Sequence, residues 1–596
     1  MNRLKTVICT CVFSFASLFT FGQESKTFQH TIEQGETVYA IATMYGVSTE
    51  AIYKLNPGSK EGIKAGEVLL IPQKKVSASG NNTETYTFHT IEPKETLYAV
   101  SMKYKVPAQY ILQANPGLSV KTFQKGRTIR IPSQENIQAM AQVSQTENTP
   151  QPEEKPVKET TYTIQKKETM YSLCRKFKVS SYELIKLNPQ LKNGVKAGVE
   201  IKVPVKEEAV TSKTDNNTSA ESFIQSESEV NALLSAPKST KELNQLKVAL
   251  LLPFNPSKKT AASSRFIEYY EGMLLAVDSL QNQGLSLDLS VYDTGEGTSR
   301  IREILTGETL PNADLIIGAV QNDQIKMIAD FAKEHRIKYV IPFTSKNDDV
   351  LSNNFVFQVN TPHSYLYSKA AERGRKLFAN DNIIFVKIHD KEEKKPFIKA
   401  LQEELKDHKV PFKEIEYNGE TFAEDLDSLY MVDQTRNVII PTSSSLEALQ
   451  KIKTPLRVLA ETQTDYTISL FGYPEWQTYV REALDDFYLD TYIYTNFYAD
   501  NLSKPMQDFY NKFKTWYSKD LINTYPKYGI LGFDTGMFFF GAMKKYGVNF
   551  EEELDNIRYP SIQTGFDFHR VNNWGGFINT QIFIVHYNRD FTVTRE

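Results

Sequence analysis

One segment occurs three times within the first 205 residues, and nothing else constrains the fold as strongly. HTIEQGETVYAIATMYGVS from His30, HTIEPKETLYAVSMKYKVP from His89 and YTIQKKETMYSLCRKFKVS from Tyr162 align without a gap. Each copy runs on to an Asn-Pro pair, a glycine and an apolar stretch ending in proline. Glu36 to Asn56, Glu95 to Asn115 and Glu168 to Asn188 are all separated by 20 residues. From those asparagines to Gly66, Gly126 and Gly198 the step is 10, 11 and 10, and from the glycines to Pro72, Pro132 and Pro204 it is 6 each time. Register this tight marks one folded unit repeated in series.

The first copy shows how the unit folds. His30–Ile32 reads as a short strand, and Thr37 is placed to N-cap a helix. That helix carries Val38, Ile41, Ala42 and Tyr45 at i, i+3, i+4 and i+7, a single apolar face. A second helix, Thr49–Leu55, must stop at Asn56-Pro57, because proline disfavours helical geometry in the residue before it. Val68–Ile71 supplies a closing strand, with Pro72 outside its ladder. The order strand, helix, helix, strand is a small βααβ (α+β) module.

These motifs resemble the LysM module, whose pattern is a strand, G-D-T-L, a helix, an Asn-Pro turn, a glycine and a final strand. The resemblance covers 28–73, 86–133 and 161–205. It implies binding to peptidoglycan or another N-acetylglucosamine polymer, in a corner between the loop entering the first helix and the loop leaving the second. By alignment the first corner comprises Gly35, Glu36, Thr37 and Val38 with Asn56, Pro57 and Gly58. The second comprises Lys94, Glu95, Thr96 and Leu97 with Asn115, Pro116 and Gly117. The third comprises Lys167, Glu168, Thr169 and Met170 with Asn188, Pro189 and Gln190. Backbone amides there would bond the N-acetyl group while the apolar residue packs on its methyl.

Lys94 and Lys167 stand where the first copy has Gly35. If the position needs a positive φ, a lysine there is strained; if not, the lysines are free to reach anionic wall groups. Lys and Arg outnumber Glu seven to two in 86–133 and nine to three in 161–205, against three to five in 28–73. A wall-facing surface and a merely solvated one both fit these numbers. Tyr162 replaces His30 and His89, so imidazole chemistry is not required at that position. Cys174 aligns with Ala42 and Ser101, as a small buried residue would. The glutamates read as helix N-terminal charges rather than general acids.

Residues 1–22, with Arg3 and Lys5 before an apolar stretch, read as a signal peptide removed on export. The expected destination is the periplasm or cell envelope, wall-associated, with no membrane span after cleavage. The stretches 134–160 and 206–245 are polar and read as disordered linkers. With 69 basic against 72 acidic side chains the net charge is −3, which excludes a chain that is basic overall and coats nucleic acid. Three cysteines supply neither a disulfide framework nor a Cys-rich zinc site.

From Leu246 the texture changes. LKVALLLPF is a continuous apolar run, as a strand buried on both faces requires. Helical and strand patterns then alternate through LDLSVYDTGEG, ADLIIGAV, IKYVIPFTS and NNFVFQVNTP. A second series follows through NIIFVKIHD, FKEIEYN and NVIIPTS. Two such series predict a two-lobed, doubly wound α/β domain over 246–596. The order of these stretches, with YGILGFDTGMFF and GGFINTQIFIVHYNRD, resembles type I periplasmic solute-binding proteins. That resemblance implies a ligand in the cleft between lobes. Ser345 matches the ligand loop of amino-acid binders, but Lys346, Asn347, Asp348 and Asp349 replace its small residues, so amino-acid specificity does not transfer.

The chain shows no H-E-x-x-H, G-x-S-x-G or Walker loop. Asp348-Asp349 and Asp485-Asp486 read as solvated carboxylate pairs. The expectation is a non-enzyme without catalytic residues, cofactor or metal. It would bind wall glycan and hold the C-terminal domain there as a scaffold or regulator, with an envelope protein as partner. Two alternatives stand beside it: a binding protein for an amino-acid-like small ligand in transport or sensing, and an accessory to a cell-wall hydrolase.

Overall fold

The computed structural model describes residues 27–73, 86–138, 140, 226–236, 238, 240–255, 260–463, 465–479 and 483–595. In the third repeat it describes 159–165, 173, 176–177, 184, 187–188, 190–191 and 198–204. The expected signal peptide lies outside the described residues.

In the first module β1 (Thr27–Thr31) pairs antiparallel with β2 (Val68–Pro72), Phe28 facing Ile71. The helices Val38–Tyr45 and Thr49–Leu55 lie between them in sequence. Thr37 caps the first helix by accepting from the Ala40 amide, and Gly46 closes it in the left-handed region. Ile41, Ile52 and Ile71 are completely buried. The second module repeats this with β3 (Tyr86–Thr90), β4 (Thr128–Pro132) and the helices Leu97–Tyr104 and Ala108–Ala114. In the third, β5 (Glu159–Thr163) pairs with β6 (Glu200–Pro204) over a core of Ile164, Leu173, Leu184, Leu191, Ile201 and Val203.

The linker reading of 206–245 needs correction. Its described part contains the helix Glu227–Ser235, held by a capping box in which Ser226 and Glu229 bond each other's backbone. Val230 of this helix is fully buried in the core of the second module, and Leu234 packs beside it. The signal was present in the sequence as S-x-x-E followed by Val230, Leu233 and Leu234, but the polar residues around it masked so short a stripe. Residues 134–138 are also helical, with Ile137 against the same core.

The C-terminal domain has two lobes, each built on a seven-stranded mixed sheet. Lobe one contains β7 (Gln245–Leu252), β8 (Ser286–Asp293), β9 (Leu315–Gly318), β10 (Lys338–Ile341) and β11 (Val356–Gln358). Lobe two contains β12 (Asn382–Lys387), β13 (Phe412–Glu416), β14 (Arg436–Pro441), β15 (Thr467–Gly472) and β16 (Thr491–Thr495). Late in the chain β17 (Phe568–Arg570) and β18 (Phe577–Asn579) return to lobe one, while β19 (Phe583–Tyr587) and β20 (Val593–Arg595) complete lobe two. The sheet orders are β17-β18-β11-β10-β9-β7-β8 and β13-β12-β14-β15-β16-β19-β20. In both, the strands are parallel except for one late strand, β17 in the first and β19 in the second, which runs antiparallel to its neighbours.

The chain crosses between lobes after β11, after β16 and after β18. The crossings are laced together: Asn496 Nδ2 donates to Asn360 Oδ1 at 2.9 Å, and Asn579 Nδ2 to the Val359 carbonyl at 3.1 Å. Lobe one is closed by the helices Ala261–Gln281 and Tyr528–Tyr546, which pack backbone to backbone where a Cβ on Gly272 or Gly532 would run into the opposing main chain.

The hairpin β17–β18 also joins the lobes to the modules. Its tip, Val571–Gly576, is shaped by Asn572, whose side-chain oxygen accepts from the amides of Trp574 and Gly575 at 2.8 and 2.6 Å. Trp574 inserts into a shared aromatic core with Phe28, Tyr45 and Phe88. Phe28 stacks on Phe88 at 5.3 Å, and Arg130 lies 4.5 Å over the indole. Modules one and two and lobe one therefore form one packed body.

Candidate functional site

The loop leading into the first helix turns at Gly35, whose φ is +84°. Lys94 occupies the equivalent place at φ +64°. The position does require the left-handed region, so Lys94 is strained there.

Glu36 and Glu95 do not face outward. Glu36 Oε2 accepts from His30 Nε2 at 2.8 Å and from the Glu33 amide at 2.7 Å, and the Tyr45 hydroxyl lies 2.8 Å from His30 Nδ1. Glu95 repeats the arrangement with His89 and the Glu92 amide, both at 2.8 Å, and Tyr104 lies 3.1 Å from His89 Nδ1. The two carboxylates are only 3% and 11% exposed. Burial pushes both tyrosine hydroxyls up, Tyr104 to about 12. The glutamates thus tie the loop to the strand and the helix. In the third copy Tyr162 stands at the histidine position with Lys176 against its hydroxyl.

The asparagines of the Asn-Pro pairs are staples. Asn115 Nδ2 donates to the carbonyls of Ile111 and Arg130, both at 2.7 Å, and its Oδ1 accepts from the Arg130 amide at 2.8 Å. Asn56 makes the same three bonds to Ile52 and Leu70, and Asn188 to Leu184 and Lys202. Each one satisfies the end of the second helix and clamps it to the closing strand. Thr37 and Thr96 spend their hydroxyls as caps, and Val38 and Leu97 are core residues.

As side chains, then, Glu36, Glu95, Thr37, Thr96, Val38, Leu97 and the three asparagines are committed internally. The corner offers backbone and the exposed turn, with Pro57 and Gly58 exposed and Pro116 and Gly117 half-buried. Of the third corner, Asn188 is buried and Gln190 exposed, whereas Lys167, Glu168, Thr169, Met170 and Pro189 lie outside the described residues, as does Cys174.

Two further features were missed from sequence. A cleft of about 350 Å³ opens between the first two modules and the hairpin tip, lined among others by Glu36, Arg127, Asn573 and Trp574. Trp574 itself was legible only as an aromatic in an N-N-W-G-G turn. The solvated reading of Asp485-Asp486 needs correction, whereas Asp348 is exposed as expected: Asp486 is 3% exposed and pushed up to about 7 by burial and by Asp485 beside it. Asp485 instead pairs with Lys453 and Arg457.

In the lobes Ser345 is half-buried in the loop after β10, next to Thr344, whose hydroxyl accepts from the Lys346 amide. At the strand ends of lobe two, Asp390 accepts from the hydroxyls of Ser443 and Ser445 at 2.7 Å, and these bonds hold its carboxyl below the usual range against the cost of burial. Among the described residues no group of His, Cys, Asp and Glu is arranged to hold a metal, and no helix is long and apolar enough to cross a membrane.

A family model described as LysM domain matches residues 30–72, 89–132 and 162–204, so the chain carries three LysM domains. An autolysin of Enterococcus faecalis is 32% identical over 109 residues, 18% of this chain and 14% of its own length. An N-acetylmuramoyl-L-alanine amidase of Staphylococcus epidermidis is 24% identical over 188 residues, 31% of this chain and 53% of its own length. The chain thus spans about half or less of these relatives.

Among solved structures, an ABC transporter substrate-binding protein from Desulfitobacterium hafniense in complex with Leu covers 59% of this chain and 100% of its own, at TM-score 0.35 and 15% identity. A branched chain amino acid ABC transporter periplasmic ligand-binding protein from Burkholderia xenovorans covers 59% and 94%, at 0.40 and 11%. The two-lobed architecture stands on the strand orders and crossings given above.

Proposed function

We propose that this chain is an exported, non-catalytic protein of the cell envelope. It binds peptidoglycan, or another N-acetylglucosamine polymer, through its LysM domains and holds the two-lobed domain at the wall as a scaffold or regulator. The observation that carries this reading is the Trp574 hairpin, which builds two of the three LysM domains into the same packed body as lobe one. A receptor that must diffuse to a permease gains nothing from such a joint, whereas a wall-held scaffold needs it. The use of Ser443 and Ser445 on Asp390 supports the same side, since hydroxyls at strand ends are what a small ligand would need.

The test is sedimentation of the full chain with purified sacculi, together with dye release from labelled sacculi. Co-sedimentation without release is expected. A protein that stays in the supernatant overturns the wall reading, and time-dependent release overturns the non-catalytic one.

A further inference from the structure

The first LysM domain sits across the boundary between the lobes. Towards lobe one, the Tyr39 hydroxyl donates to Asp348 Oδ2 at 2.6 Å. Towards lobe two, Gln34 donates to Glu372 at 3.2 Å, Lys64 pairs with Asp407 at 2.9 Å, and Lys399 bonds the Glu61 carbonyl. At the centre the Tyr365 ring lies on Gly35, where a Cβ would fall 2.6 Å from Cγ and 2.8 Å from Cε1 of the ring. Tyr365 stands near the start of the lobe-two helix His363–Leu377, a few residues past the first crossing, and also packs against the core of lobe one. An aromatic ring thus occupies the backbone surface on which a sugar held in this corner would rest.

The opposite wall of the same corner is open. Pro57 and Gly58 are exposed, and a Cβ on Gly58 would meet nothing within 4 Å. In the second domain the pattern reverses. Lys94 is exposed, while the Gly117 amide donates to the Asn573 carbonyl at 2.8 Å and Lys238 Nζ to the Pro116 carbonyl at 2.7 Å. That contact belongs to the Trp574 joint with lobe one, an aromatic core that does not open cheaply. The cover on the first corner is different in kind. Apart from one ring it consists of exposed polar pairs, Lys64 and Asp407 being 47% and 50% exposed, and such pairs hold weakly.

We infer that lobe two is a displaceable cover over the glycan corner of the first LysM domain, so that glycan binding there and the contact of lobe two with that domain exclude each other. This rests on the glycan reading of the corner. By linkage, whatever shifts lobe two away from lobe one raises wall affinity at this corner, and glycan bound there favours the shifted arrangement.

The experiment uses the full chain with an N-acetylglucosamine tetramer as probe, reading calorimetric binding and amide hydrogen exchange. Saturating tetramer should speed exchange in 363–377 while 571–576 stays protected. Tyr365→Ala should bind at one site about tenfold more tightly, as removal of a competing closed state does. Asp407→Lys, at an exposed position that leaves folding intact, should tighten the same site about two- to threefold, in keeping with one surface pair. Tetramer binding with unchanged exchange in 363–377 and equal affinity in both variants overturns the cover while leaving the glycan reading standing. If neither wild type nor variants bind any tetramer, the glycan reading falls and the cover falls with it.

Discussion

Replacing Asn115 by alanine separates a structural from a ligand-binding role at the Asn-Pro corner. The side chain is fully buried and makes three bonds between 2.7 and 2.8 Å, two donated to the carbonyls of Ile111 and Arg130 and one accepted from the Arg130 amide. Two ordinary hydrogen bonds contribute about 1 kcal/mol each, and a buried amide left without an acceptor costs a further ~1–3 kcal/mol. The expected loss is therefore about 3–5 kcal/mol, a large share of what holds a small domain together.

Asn115→Asp refines the test. It keeps the acceptor for the Arg130 amide but points a carboxylate at two carbonyls, so it should be worse at pH 8 than at pH 4, where a protonated carboxyl donates to one of them. Amide exchange in Thr128–Pro132, with thermal unfolding of the full chain, reads both variants. If Asn115→Ala lost glycan binding with unchanged exchange in β4 and an unchanged melting temperature, the staple argument would be refuted and the side chain would belong to the sugar.

Lys94→Gly should stabilise the second domain by ~0.5–1 kcal/mol in thermal unfolding, since it relieves a positive φ at some cost in unfolded-state entropy. Gly532→Ala should destabilise by ~1–3 kcal/mol or more, because its Cβ would collide with the Tyr269 carbonyl across the helix pair. Asp486 has a folded-state carboxyl raised to about 7, so its contribution to stability is intact below about pH 4 and is lost as pH rises towards 7. Asp486→Asn should therefore unfold at higher temperature than wild type at pH 8, by up to about 4 kcal/mol of stability, and lose that advantage at pH 4.

The repeats were legible because their constraints are local. A cap, an apolar stripe, a proline stop and a glycine in the left-handed region each sit at a fixed offset, and all recur in place. The lobes were legible from apolar runs at strand spacing. What stayed hidden depends on long-range partners. The spacing of 14 or 15 residues between each Asn and its strand is visible in sequence, but that the amide faces inward is not. Tyr162 at the third position shows that imidazole is not required there, yet in two copies the histidine hydrogen-bonds a buried glutamate, a partner that sequence alone does not reveal. Trp574 lies more than 480 residues from Phe88, and no periodicity connects an N-N-W-G-G turn to a LysM core.

That joint changes the arithmetic of wall binding. Domains on flexible tethers gain avidity by searching a polymer independently. Here Gln73 bonds the amide and carbonyl of Phe88, Thr90 reaches the Gln29 carbonyl, and Arg127 pairs with Glu33, so the first two domains hold a fixed relative orientation. A rigid pair adds affinities only for a glycan whose spacing matches both corners, and for any other chain it behaves as a single site. With one wall of each corner occupied by the C-terminal domain, the proposed cover would make this pair respond to the arrangement of the lobes as well as to the glycan, a dependence that an independent string of LysM domains would lack.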